Sequence, residues 1–137
     1  MPEITRRQLL RSSATAAAGL AAVPLLASCG SPTASGPSKN LIGKPLLAVD
    51  EIPVGGGHIL ANDHVVVTQP TKGTFHVFSS TCTHQGCTVS QVQGGTIDCP
   101  CHGSKYSIIN GAVKAGPAPR PLPEYKSQVK AGYVELT

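Results

Sequence analysis

Two short segments of this chain each place two cysteines and one histidine within six residues, and eleven residues separate them. The first is Cys82-Thr83-His84-Gln85-Gly86-Cys87. The second is Cys99-Pro100-Cys101-His102-Gly103-Ser104. Thiolates and neutral imidazoles are ligands that suit zinc and iron. The Gly and Pro residues among them mark loops, in which several side chains can turn toward one point. An eleven-residue connection is long enough for a β-hairpin, which would carry both loops to the same end of a domain. Any fold for this chain has to accommodate that convergence.

The rest of the sequence supplies short β-type segments. Apolar or alternating runs at 45–50, 58–60, 64–69, 74–80, 88–92, 96–99, 125–130 and 133–137 are strand candidates. Asn62-Asp63, Lys72-Gly73, Gly94-Gly95 and Ala131-Gly132 are the turns between them. No stretch of ten residues shows a helical period, so the expected class is all-β, an antiparallel sandwich or small barrel with a subdomain built from the two loops. Gly55-Gly56-Gly57 has no following Lys-Ser/Thr and no helix, so it is expected as a flexible hairpin loop and not a phosphate cradle. A domain this small is marginal in its core, and a metal centre or disulfide would help hold it.

Two Cys and two His spaced C-x-H and C-x-x-H could make a tetrahedral zinc set, or the mixed ligand set of an iron–sulfur cluster. The full pattern resembles the signature of the Rieske family, C-T-H-x-G-C with C-P-C-H-G-S. That resemblance implies a [2Fe–2S] cluster, one per chain, with Cys82 and Cys99 on the buried iron and His84 and His102 on the outer one. It implies a disulfide between Cys87 and Cys101. Ser104 and Tyr106 match the high-potential branch, where their hydroxyls donate to cluster sulfurs; otherwise they are an ordinary turn residue and a core aromatic. Gly116-Pro117-Ala118-Pro119 is similar to the loop that covers the cluster in respiratory members. Gln85 departs from the Leu usual in quinol-oxidising complexes, which speaks against direct quinol oxidation. A zinc site would leave the second Cys of each loop, Ser104 and Tyr106 without a role. His58, His64 and His76 lack a ligand-spaced partner and read as ordinary strand or turn residues. Asp98 is expected exposed beside the second loop, with no role.

Residues 1–29 read as a targeting segment. Thr5-Arg6-Arg7-Gln8-Leu9-Leu10 resembles a twin-arginine export signal, and the uncharged Ala- and Leu-rich stretch behind it suits a signal core. Leu26-Ala27-Ser28-Cys29 resembles a bacterial lipobox, which would make Cys29 a lipidation site and the first mature residue. Residues 30–40 are rich in Ser, Pro and Gly and are expected to be a flexible linker, leaving 41–137 as the cluster domain. Disulfides persist in oxidising compartments, in keeping with export.

From Gly30 onward eight Lys or Arg stand against six acids without a basic cluster, so nucleic acid is not an expected partner. The expected function is single-electron transfer outside the cytoplasm, at the outer face of a bacterial membrane through a lipid anchor, with redox proteins as partners. The competing reading makes the chain a subunit of a cytochrome bc-like quinol oxidase or of an arsenite-oxidase-like complex. A ferredoxin serving a ring-hydroxylating oxygenase fits less well, since those relatives are cytoplasmic and lack the extra Cys pair.

Overall fold

The computed structural model describes residues 36–37 and 39–137. The leader 1–29 with Cys29, and residues 30–35 and 38 of the linker, lie outside the described residues.

The run Val65-Val66-Val67-Thr68 explains the layering. All four side chains are fully buried, which requires cover on both faces of their strand. The period-two alternation divides them between two cores. Val65 and Val67 pack with Ile52, Val77, Val134 and Leu136; Val66 packs with Phe78, Val89, Ile97, Tyr106 and Leu122. Full burial of each such valine is worth about 1.5–3 kcal/mol. This run belongs to β3 (Val65–Thr71), which pairs antiparallel with β2 (Gly56–Leu60) and β4 (Thr74–Ser79). Strand β9 (Glu124–Tyr125) adds to β4 and completes a central four-stranded sheet.

One face of that sheet carries a three-stranded sheet in which β11 (Tyr133–Leu136) lies between β1 (Pro45–Ala48) and β10 (Ser127–Lys130). The other core joins it to a meander of β5 (Gln91–Gln93), β6 (Thr96–Asp98), β7 (Lys105–Ser107) and β8 (Val113–Ala115). Every strand pair is antiparallel, so the all-β expectation holds. The meander is the small subdomain, and its second core contains Cys82 and Cys99.

Several local expectations need correction. Gly56 and Gly57 open β2 and are not loop residues: a Cβ on Gly57 would meet the Val67 carbonyl at 2.5 Å, so glycine permits close strand approach. The segment 125–130 is two strands in two sheets. Tyr125 pairs with Val77, and Ser127 pairs with Leu136, so the chain changes sheets at Lys126. In 88–92 only Gln91 and Val92 are in a strand; Thr88 forms a lone bridge to Thr81, and Val89 is buried beneath the loops. Strands β7 and β8 are three residues each, too short to show an alternation. Asp98 is buried, not exposed: Lys105 Nζ lies 2.6 Å from one of its oxygens, and Thr96 Oγ1 donates to the other at 2.7 Å.

Candidate metal centre

The two Cys/His segments fold by the same local device. In each, the first residue's N–H donates to the sixth residue's carbonyl: Cys82 to Cys87 at 2.7 Å, and Cys99 to Ser104 at 2.8 Å. The fifth residue of each is glycine with positive φ, +79° at Gly86 and +77° at Gly103. That left-handed conformation is strained for residues with a Cβ. Each sequence therefore closes into a compact loop with side chains splayed toward its partner. Strands β6 and β7 carry the second loop between them, while β4 and the Thr81–Thr88 bridge hold the first.

A disulfide between Cys87 and Cys101 joins the loops. The other two cysteines, Cys82 and Cys99, are free and buried. The imidazoles meet edge to face, with His84 Nδ1 and His102 Nδ1 3.2 Å apart. His102 is exposed and His84 half-buried. Loop closure thus sets the two imidazoles against each other and buries the two free thiols, with the disulfide sulfurs within 4.8 Å of Cys99 Sγ.

The Cys82 sulfur is surrounded by donors. Tyr106 Oη lies 3.0 Å from Cys82 Sγ and also accepts the Thr83 N–H at 3.1 Å. The Thr83 hydroxyl, 3.2 Å from Oη and itself donating to Arg120, accepts alongside the sulfur, so the two share the phenolic proton. Ser104 Oγ accepts the Ala118 N–H at 3.1 Å, which directs its own proton elsewhere. Burial pushes the Cys82 thiol up, but the bonds from Tyr106, His84, Cys99 and Ser104 outweigh it and hold the thiol below its ordinary range. Burial, together with the neighbouring Cys82, raises Cys99 despite the amides of Cys101 and His102. Tyr106 is raised by burial and by Cys82, so it stays a donor.

Sequence reasoning assigned no contact to Thr83, Ala118 or Arg120. Thr83 Oγ1 donates to the Arg120 carbonyl at 2.7 Å, tying the first loop to the segment after the prolines. Ala118 is buried and supplies its amide to Ser104, and Gly116–Pro117 is a cis peptide. Apart from the motif-like Gly-Pro-Ala-Pro, nothing local in the sequence signals these backbone contacts.

The donor set fits a two-iron cluster better than one ion. Among the described residues, the trio of donor atoms within 4.8 Å of one another is Cys87, Cys99 and Cys101, and two of these are bonded to each other. The ligands of a tetrahedral zinc sit within roughly 4 Å of each other. Cys82, His84, Cys99 and His102 do not gather so tightly, whereas two thiolates and two imidazoles divided between two irons need not.

The family model for the Rieske [2Fe-2S] domain matches residues 44–126. The cytochrome b6-f complex iron-sulfur subunit of Chlorobaculum tepidum is 37% identical over 89 residues, 64% of this chain and 49% of that protein. The chain thus spans about half the length of that relative. Cytochrome b6-f complex iron-sulfur subunit 2 of Trichormus variabilis is 33% identical over 154 residues, covering 99% of this chain and 86% of that one. The crystal structure of the cyanobacterial plasma membrane Rieske protein from Synechocystis PCC 6803 superposes with a TM-score of 0.51 at 32% identity, over 61% of this chain and 86% of that one. With the paired loops, the disulfide and the free Cys and His donors, these matches identify the chain as a member of the Rieske family, whose cofactor is a [2Fe–2S] cluster.

Proposed function

We propose that Cys82, His84, Cys99 and His102 hold the cluster and that the chain is a high-potential single-electron carrier working outside the cytoplasm. When bound, the cluster accepts and releases one electron, and imidazole in place of thiolate on one iron favours its reduction. The chain's own residues do the rest. Cys82 and Cys99 keep one side of the site dry. His102, exposed at the tip, is the edge through which a partner exchanges electrons, with His84 behind it. Thr83 and Ala118 orient the hydroxyls of Tyr106 and Ser104 toward sulfur. The observation carrying the high-potential reading is the Tyr106 hydroxyl 3.0 Å from Cys82 Sγ, since a donor there stabilises the more negative, reduced state.

The proposed organisation is a twin-arginine leader at 1–29, a linker at 30–40 and the cluster domain at 41–137. Lipidation of Cys29 would anchor the domain to the outer face of the membrane. Its support is the leader sequence and the disulfide. Among the described residues, no helix is long and apolar enough to cross a membrane. A second reading, as a subunit of a quinol-oxidising complex, draws support from the relatives described as cytochrome b6-f subunits.

EPR after mild reduction of the exported protein with ascorbate tests the proposal. A [2Fe–2S] signal is expected. A signal that needs dithionite would overturn the high-potential reading. Co-purification with a cytochrome b would favour the complex.

A further inference from the structure

The domain's charge is divided unevenly. Residues 80–123, which contain both loops and the meander, hold three cations and one acid: Lys105, Lys114, Arg120 and Asp98. The rest of the domain, 41–79 and 124–137, holds four cations and five acids. The positive excess therefore lies on the cluster side. Lys105 is committed to Asp98 at 2.6 Å, while Lys114 and Arg120 are exposed and have no acid partner among the described residues.

Both free cations are held near the site by the backbone. The Arg120 carbonyl accepts the Thr83 hydroxyl, between Cys82 and His84 in the chain. Lys114 lies on the edge strand β8, between the residues paired with Tyr106 and Lys105. The exposed large apolar residues Ile42, Val54, Ile109, Val129 and Tyr133 all lie outside the loops 82–87, 99–104 and 116–120. Next to His84 the exposed side chain is Gln85, which is polar.

We propose that this cationic, polar tip is a docking surface for an acidic redox protein. The inference rests on the carrier reading and names its partner. Lys114 and Arg120 steer an acidic face onto His102, and none of the exposed large apolar side chains is there to hold the pair together afterwards. Steering of this kind speeds association and fades with salt.

The test uses the full-length holoprotein, reduced and mixed with ferricyanide, with tris(phenanthroline)cobalt(III), or with a c-type cytochrome of net negative charge. The bimolecular rate is followed as the Debye length shrinks from about 30 to about 10 Å. Rates with ferricyanide and the acidic cytochrome should fall with salt, and the rate with the cobalt cation should rise. Replacing both cations (K114Q with R120Q) should lower the two anionic rates about tenfold at low salt, at matched driving force. K72Q, in the turn between β3 and β4, makes a smaller and equal-sign change in net charge and should alter them little.

Flat salt dependence refutes the docking surface, as does an effect of K72Q half that of the double variant. Variant-sensitive binding to phosphatidylglycerol vesicles, with unchanged oxidant kinetics, assigns the patch to a membrane and overturns the proposal. Absence of an ascorbate-reducible EPR signal refutes the carrier reading instead, so the two failures are distinguishable.

Discussion

Replacing Tyr106 with Phe removes one oxygen and keeps the ring. The ring is fully buried in the core beneath the loops, so its packing is retained. The lost hydroxyl lies 3.0 Å from Cys82 Sγ. A hydrogen bond is worth about 0.5–1.5 kcal/mol with a neutral partner and about 1.5–3 kcal/mol with a charged one. Reduction adds negative charge on the acceptor side, so the bond strengthens by about 1–1.5 kcal/mol when the electron arrives. For a one-electron couple about 59 mV corresponds to a factor of ten, so the midpoint should fall by about 40–65 mV. The same change removes the acceptor of the Thr83 N–H, costing about 1–3 kcal/mol of stability. Redox titration followed by EPR reads the first effect and thermal unfolding the second. A lower melting temperature with an unchanged midpoint would show that Tyr106 only packs and anchors Thr83, and would refute its donation to the Cys82 sulfur.

Removing the disulfide by Cys87→Ala with Cys101→Ala opens a link of sequence separation 14 and should cost about 3 kcal/mol. The cluster's visible absorbance should bleach at lower guanidinium; bleaching at an unchanged concentration would show that the loops hold without it. Lys105→Met leaves the buried Asp98 carboxylate with Thr96 and Gln93 beside it, and should cost about 1 kcal/mol, since the lysine itself is half exposed. Urea unfolding measures it, and no change would mean that water already serves Asp98.

The closure of the two Cys/His loops was legible in the sequence because its information is local. Spacing, residue type and the Gly and Pro positions all lie within six residues, and each loop closes within itself. The strand run at 64–69 was legible for a similar reason, although its apolar continuity said only that both faces are covered. Tyr106 could be placed by its position after the motif, but the partner that aims it could not. Thr83 acts through its amide and through a carbonyl 37 residues away, and a backbone contact leaves no trace in residue type. Asp98 was misread because its cover comes from Lys105 on the neighbouring strand. Strands β7, β8 and β9 have two or three residues, fewer than an alternation needs, and are defined by their pairing across the sheet. Sequence thus announced what each loop binds better than what holds the loop in place.

Glycine offers a sharp test of that division, because two positive-φ glycines near the site are needed for different reasons. At Gly103 a Cβ would find nothing within 4 Å, so the demand is purely on φ. At Gly111, with φ +70°, a Cβ would meet the Leu122 carbonyl at 2.8 Å and the Phe78 ring at 3.1 Å. Leu122 in turn donates its N–H to the Gly111 carbonyl, so neither backbone can retreat without losing a bond. Alanine at Gly103 should cost about 1–2 kcal/mol, the usual penalty of the left-handed region. Asparagine tolerates that region and should recover about half of it. Alanine at Gly111 adds overpacking of about 1–3 kcal/mol to the same strain, and asparagine should recover nothing, because its Cβ meets the same atoms. Thermal unfolding of the four variants decides the matter. Equal rescue by asparagine at both sites would mean that the approach of Gly111 to Leu122 is soft, and that the segment running from the prolines to β9 is held by Thr83 and Ser104 rather than by its seat on Phe78.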